Sequence, residues 1–164
     1  MSTTQQHPQQ HPQHHQAAAG QARPAGIDPR GPQFAAALTS IALIAVLLLA
    51  PGPAAVVVLT LQAAVFAVGA TLGVQHTPYS WLFRTLVRPR LAAPEHLEDP
   101  APPRFAQTVG LGFAVVGLVG FLAGVDLLGL VATGFALVAA LLNALFRFCL
   151  GCELYLLGRR LATH

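Results

Sequence analysis

The sequence predicts an all-α membrane protein, a bundle of four transmembrane helices built from two similar hairpins. Hydrophobic residues make up 54% of the 164 residues and charged residues only 9%, whereas soluble domains carry about 25% charged residues. The apolar residues come in four long runs, each able to span about 30 Å of hydrocarbon as a helix. Apolar and polar residues do not alternate within the runs, which argues against the strands of a membrane barrel.

The chain divides into two regions of different composition. Residues 1–33 are rich in Gln, His and Pro and hold little to bury, so we expect a disordered tail. Residues 34–161 form the predicted integral membrane domain, with spans at about 34–50, 54–74, 105–125 and 127–146. Pro51-Gly52-Pro53 separates the first two runs, and a short turn at Asp126 separates the last two. These short connections predict two tight hairpins.

The arginines predict the orientation in the membrane, because all nine basic residues are Arg. They lie before the first run, in the central loop and after the last run, on one side of a four-span topology. Cytoplasmic loops carry an excess of basic residues, so both termini are predicted to be cytoplasmic and the protein to lie in the cytoplasmic membrane. The arginines flank apolar runs and form no basic stripe. The lipid bilayer is therefore the expected partner, and nucleic acid is not.

The two halves of the chain begin and end alike. Stretches 28–35 and 99–106 share Asp, two Pro, Phe and Ala at a constant offset, and each opens an apolar hairpin. Each hairpin is followed by a short segment with an aromatic residue, Trp81 in the first and Tyr155 in the second. We predict that both segments are amphipathic helices at headgroup level. The similarity indicates a duplicated hairpin, with chance likeness of Pro-rich helix starts as the alternative.

Small and polar residues inside the runs predict how the helices pack. The pairs Gly69-x-x-x-Gly73 and Gly120-x-x-x-Gly124 allow close backbone approach. Background composition is the alternative in a chain so rich in Gly. The amides Gln62 and Asn143 are expected to hydrogen-bond between helices, with substrate binding as the alternative role.

Chemically reactive residues cluster in one motif, Cys149-Leu150-Gly151-Cys152, which contains the only two cysteines of the chain. Such a pair can close a disulfide, and a cysteine at a helix N-terminus is stabilised as the thiolate. Gly151 predicts a break between the fourth span and a final helical segment, and the repeat places Cys152 opposite Pro78. Cys149 then lies near the helix start and is the predicted catalytic nucleophile, with Cys152 as the resolving thiol.

Three interpretations of the pair stay open at this stage. The cysteines can form a redox-active dithiol or hold sulfane sulfur as a persulfide. They can supply half of a metal site, in which case His76, His96 or a second protomer has to complete the ligand set. They can also be small residues that pack at the membrane edge. No phosphate loop, Gly-x-Ser-x-Gly or His-Glu-x-x-His motif is present, and no cofactor is evident.

The chain resembles a known family in four places. These are Asp28-Pro29-x-x-Pro32-x-Phe34, Ser80-Trp81-Leu82-Phe83-Arg84, Asp99-Pro100 followed by Pro103-x-Phe105-Ala106, and Phe148-Cys149-x-Gly151-Cys152-Glu153-x-Tyr155. Together they are similar to an uncharacterised bacterial family of small four-helix integral membrane proteins, common in actinobacteria. Relatives are often encoded near thioredoxin-like and sulfurtransferase genes, which implies such proteins as partners. The resemblance implies no established activity.

The resulting expectation is a membrane partner in cytoplasmic thiol-redox or sulfur handling that acts through Cys149 and Cys152. Its rival is a non-enzymatic scaffold or small transporter subunit with structural or metal-binding cysteines. Assembly into a homo-oligomer is left open. Whether the chain is an enzyme is left open. Quinone-linked disulfide-generating enzymes also use four-helix bundles with Cys-x-x-Cys. They normally have a second cysteine pair and face the oxidising side, and both points count against that comparison.

Overall fold

The fold is helical, as the computed structural model of the chain shows for residues 26–162, with short connections within each hairpin and a longer segment, residues 83–100, before the second hairpin. Within these described residues the six α-helices are α1 (Arg30–Leu49), α2 (Pro53–Thr71), α3 (Pro78–Leu82), α4 (Ala101–Leu122), α5 (Asp126–Phe146) and α6 (Leu150–Ala162). Helices α1, α2, α4 and α5 are long and apolar enough to cross a membrane. The predicted all-α class with four spanning helices is therefore confirmed, and the chain is a multi-pass membrane protein.

Each long helix begins slightly before the start of the corresponding predicted span. At α2 and α4 prolines explain the difference, because the N–H groups of a first helical turn have no intrahelical partner and Pro lacks that N–H. Pro53 is the first residue of α2, and Pro102 and Pro103 lie in the first turn of α4. The predicted spans start at the first apolar residue, which leaves these prolines outside them.

The segment before α1 is fixed to the loop before α4. Ile27 and Glu98 exchange two backbone hydrogen bonds of 2.9 Å. The Asp28 carboxylate accepts from the Arg30 backbone N–H at 3.0 Å and from the Arg30 guanidinium at 3.0 Å. These hydrogen bonds hold the pKa of Asp28 below its usual value. Residues 26–33, assigned to the tail by composition, are thus held in place; the rest of the predicted tail, residues 1–25, lies outside the described residues.

The four long helices form a ring in the order α1, α2, α4, α5. Helix α1 packs against α2 and α5, and α4 packs against the same two helices. Leu43, Val46 and Leu59 are completely buried at the centre. Many large apolar side chains on the outside are exposed, including Ile41, Leu48 and Leu61. An apolar outer face is the face that lipid solvates, so both surfaces agree with a membrane-spanning bundle.

The glycine pairs are confirmed as packing sites only in part. A Cβ added at Gly120 would lie 2.5 Å from the Gly129 backbone nitrogen, so this glycine lets α4 and α5 touch. Gly69 similarly faces the side chain of Gln107 on α4. The second glycine of each pair instead follows the helix end, with positive φ of 101° at Gly73 and 72° at Gly124. Positive φ favours glycine, so these two positions end helices.

The topology places the arginines of the described chain at one end of the bundle. The short connections at residues 50–52 and 123–125 lie at the opposite end, because α1–α2 and α4–α5 are the two hairpins. One of these arginines caps the C-terminus of α2. The Arg104 guanidinium donates to the carbonyls of Ala70 (2.8 Å) and Thr71 (2.6 Å). We call this end of the bundle the arginine end.

The expected hydrogen bonding of amides between helices is confirmed for Gln62. Its side chain is 2% exposed and donates to the Thr39 hydroxyl of α1 at 3.4 Å. The Tyr79 hydroxyl of α3 donates to the Gln62 carbonyl oxygen at 2.7 Å. The network joins α1, α2 and α3 where water cannot satisfy these groups. Asn143 is half-buried and lines the cavity described next.

Candidate functional site at the start of the last helix

The chain breaks its helical path between α5 and α6. Helix α5 ends at Phe146, Arg147 takes a left-handed conformation with φ 56°, and α6 begins at Leu150. The Phe148 N–H donates back to the Leu142 carbonyl at 3.2 Å, which closes the end of α5. The predicted break therefore exists, but its predicted place at Gly151 is wrong. Arg147, a residue type that rarely adopts this conformation, makes the turn.

Gly151 instead provides close packing inside the first turn of α6. A Cβ at this position would lie 2.6 Å from both Cα and Cβ of Ala106 on α4. No ordinary side chain fits in that space, so Gly151 lets α6 lie directly on α4. The contact sets the position of the cysteine pair relative to the bundle, since Gly151 stands between the two cysteines.

Cys149 is the residue immediately before α6, and its sulfur caps that helix. The Cys152 N–H donates to the Cys149 sulfur at 3.3 Å, and the Glu153 N–H donates to the Cys149 carbonyl at 3.0 Å. The unpaired N–H groups and the positive end of the helix dipole favour a negative charge at this place. A thiolate on Cys149 would therefore be stabilised more than one on Cys152, which lies within the helix.

The two cysteines have the geometry of a disulfide. Their sulfur atoms lie within bonding distance and their Cα atoms are 5.2 Å apart, inside the usual range for disulfides. Both residues are half-buried. The spacing of the Cα atoms is compatible with a disulfide at the start of α6.

The same local arrangement occurs in the first half of the chain. Thr77 precedes α3, and its hydroxyl accepts the Ser80 N–H at 3.2 Å, as the Cys149 sulfur accepts the Cys152 N–H. The structure therefore pairs Cys149 with Thr77, and the predicted pairing of Cys152 with Pro78 is wrong. Thr-x-x-Ser is a capping signal visible in the sequence, but the prediction matches Trp81 with Tyr155 and so sets Cys152 opposite Pro78.

Two aromatic contacts repeat in the same way. Phe34 contacts Phe83 with ring centroids 5.8 Å apart, and Phe105 contacts Tyr155 at the same 5.8 Å. The interplanar angles are 45° and 46°. In each half, the first spanning helix thus packs against the helical segment that follows the hairpin. The predicted pair of similar hairpins is confirmed, and the cysteines occupy the place of a hydroxyl pair.

A cavity of about 780 Å³ extends from the cysteines into the bundle. It lies among α1, α4, α5 and α6, and Cys149 and Cys152 both line it. Most of its surface is apolar, and its lining includes Phe113 of α4 and Phe135 of α5, the latter exposed on the outside of the bundle. Its polar side chains include three amides, Gln33, Gln107 and Asn143. Only Asn143 stands out in the sequence, because Gln33 and Gln107 lie within the first two turns of their helices and resemble flanking polar residues.

The histidines considered for a metal site are not gathered around the cysteines. His96 lines the cavity, whereas His76 lies elsewhere and its Nδ1 is 2.7 Å from the Leu72 carbonyl oxygen. In residues 26–162, no three side chains of His, Cys, Asp or Glu are grouped as a metal ion requires. Metal binding by Cys149 and Cys152 therefore receives no support from the described part of the chain.

These features define a class of small multi-pass membrane proteins in which a cysteine pair lies at the N-terminus of the helix that follows the last span. The chain belongs to the family described as Domain of unknown function (DUF4395), which matches residues 27–160. The match confirms the resemblance to an uncharacterised family and brings no assigned activity with it. Neither a curated protein nor a solved structure matches the chain.

Proposed function

We propose that this protein is a thiol–disulfide exchange partner in the cytoplasmic membrane and that Cys149 and Cys152 are its reacting groups. The observation that supports this most strongly is the position of Cys149, whose sulfur accepts a helix N-terminal N–H at 3.3 Å. The arginine end faces the cytoplasm in this proposal, because basic residues favour the cytoplasmic side. The pair then meets cytoplasmic thiols, and the two termini lie on the same side.

The exchange proceeds in two balanced steps. A partner thiolate attacks the Cys149 sulfur, the bond between Cys149 and Cys152 breaks, and Cys152 leaves as a thiolate that takes up a proton. The second thiolate of the partner then attacks the partner's sulfur in the mixed disulfide. The partner's own disulfide forms, and Cys149 is released as a thiolate. The partner is oxidised by two electrons and the pair is reduced. The α6 N-terminus stabilises the departing Cys149 thiolate, which makes Cys149 the better leaving group.

The same cysteine suits sulfur transfer. A Cys149 thiolate that attacks the outer sulfur of a partner persulfide would receive that sulfur and release the partner as a thiolate. Cys152 would then attack the inner sulfur, which closes the disulfide and releases hydrosulfide. Thioredoxin-like proteins and sulfurtransferases are the proposed partners for the two reactions.

One observation favours a structural role as the second candidate. The pair closes the first turn of α6 beside the tight contact between Gly151 and Ala106. A disulfide at this place would hold the start of α6 against α4 without reacting with any partner. The protein would then be a membrane scaffold or a transporter subunit.

Trapping separates the two candidates. A Cys152→Ser variant keeps Cys149 and lacks the thiol that resolves a mixed disulfide, so we expect reductant-sensitive adducts with cytoplasmic proteins on a non-reducing gel. Cys149→Ser is the matched control, and it should trap far less because its remaining thiol does not cap the helix. Mass spectrometry identifies the adducts. If neither variant forms a mixed disulfide or persulfide and both retain the wild-type phenotype, the exchange proposal is wrong.

A further inference from the structure

We propose that the cavity beneath the cysteine pair binds a lipid-soluble quinone that accepts two electrons from the Cys149–Cys152 dithiol. The proposal rests on the exchange function above and names the oxidant that would regenerate the disulfide. The chain contains only two cysteines. Electrons that enter this pair therefore have no second cysteine pair within the chain to receive them, so an acceptor has to reach the pair itself.

The position of the cavity suits an acceptor that arrives from the membrane. Along α4 its lining runs from Pro102 to Phe113, about 16 Å at 1.5 Å per residue, or half of a hydrocarbon core about 30 Å thick. One end of its lining holds both cysteines. The other end includes Phe113 and Phe135, whose ring centroids are 6.2 Å apart, and Phe135 is exposed on the outside of the bundle. A molecule held here would touch the sulfurs with one end and the bilayer interior with the other.

The chemistry of the lining favours a quinone over a lipid acyl chain. Gln107 of α4 and Asn143 of α5 line this space, and neither amide has a hydrogen-bond partner among the described residues. The Gln107 side chain also packs against Gly69 of α2. Amide N–H groups donate to carbonyl oxygens, which a quinone has at both ends of its ring and the hydrocarbon tail of a lipid lacks. Gln33 is occupied, since its amide donates to the Ala144 carbonyl at 2.9 Å. The volume of about 780 Å³ lies within the usual range for small-molecule sites.

The reaction balances without another reagent. The two thiols of Cys149 and Cys152 lose two protons and two electrons, and one S–S bond forms. The quinone takes up both electrons and two protons at its carbonyl oxygens and becomes the hydroquinone. Exchange with a cytoplasmic partner then reduces the pair again. A single cysteine pair is enough because the cavity brings the acceptor to the pair directly.

The test uses full-length protein, reduced and freed of reductant, in anaerobic nanodiscs. Decylubiquinone and menadione are the probes, and the readouts are quinone absorbance and the number of free thiols. We expect one hydroquinone for each pair of thiols lost. Gln107→Leu and Asn143→Leu should each slow this reaction by about tenfold, the effect of one lost hydrogen bond. Gln75→Leu is the control, because Gln75 lies at the arginine end outside this cavity.

A second pair of variants tests the space itself. Ala139→Phe fills the cavity and should abolish quinone reduction, whereas Val116→Phe adds the same bulk on the exposed face of α4 and should leave the rate unchanged. All variants are also mixed with glutathione disulfide to confirm that the dithiol still exchanges. Two results would overturn the quinone site and leave thiol exchange standing. One is quinone reduction that survives in Ala139→Phe. The other is a wild-type dithiol that exchanges with glutathione disulfide but leaves both quinones oxidised. A dithiol that reacts with neither reagent sinks both proposals.

Discussion

At the residue scale, the Tyr79 hydroxyl is a hydrogen bond donor to a buried group of the membrane domain. It donates to the Gln62 carbonyl oxygen at 2.7 Å, and burial raises its pKa, so it stays protonated over the physiological range. Gln62 in turn donates to Thr39. The network couples the short helix α3 to the bundle through hydrogen bonds to a buried amide.

Removing that hydroxyl should weaken the bundle measurably. We expect Tyr79→Phe to lower the free energy of unfolding by about 1 kcal/mol, because it leaves the Gln62 oxygen without a donor. Unfolding by sodium dodecyl sulfate in mixed micelles gives the value. Tyr155→Phe is the matched control, since its ring contact with Phe105 survives the change. Equal losses in the two variants would show that the Tyr79 hydrogen bond adds nothing specific.

At the scale of an element, the position of α6 depends on one glycine. A Cβ at Gly151 would overlap Ala106 at 2.6 Å, whereas the same group at Gly158 meets nothing within 4 Å. Gly151→Ala should therefore separate the start of α6 from α4 and destabilise this contact by about 1–3 kcal/mol. We expect faster tryptic cleavage after Arg147. Gly158→Ala should slow cleavage or leave it unchanged, because Ala favours the helix. Similar rates for both variants would contradict the packing account.

The contact between α4 and α5 gives a second matched pair. Gly120 faces the Gly129 backbone nitrogen, with room for no Cβ, while Gly112 on the same helix faces open space. Gly120→Ala should cost about 1–3 kcal/mol of stability in the same micelle unfolding experiment, because a backbone atom cannot move aside as a flexible side chain can. Gly112→Ala should be neutral or slightly stabilising. A destabilisation by Gly112→Ala that matches Gly120→Ala would contradict this description of the helix contact.

At the scale of the whole molecule, the sequence predicts the bundle well because the length of an apolar run is set by the thickness of the bilayer. The four spans, the two hairpins and the one-sided arginines all follow from that constraint. The site is predicted less well. The capping role of Cys149 depends on where α5 ends, and the left-handed residue is Arg147, a residue type that gives no such signal. The cavity was hidden because Gln107 and Asn143 come from different helices, whose rotation the sequence does not specify.

Sided labelling of the cysteines tests the central claim, a reactive pair on the cytoplasmic side of a four-span bundle, most directly. A maleimide that cannot cross lipid is applied to spheroplasts and to inverted membrane vesicles, each with and without prior reduction. The account predicts labelling of Cys149 and Cys152 in inverted vesicles only, and only after reduction. Labelling of reduced cysteines from outside intact spheroplasts would reverse the orientation and contradict a role with cytoplasmic partners.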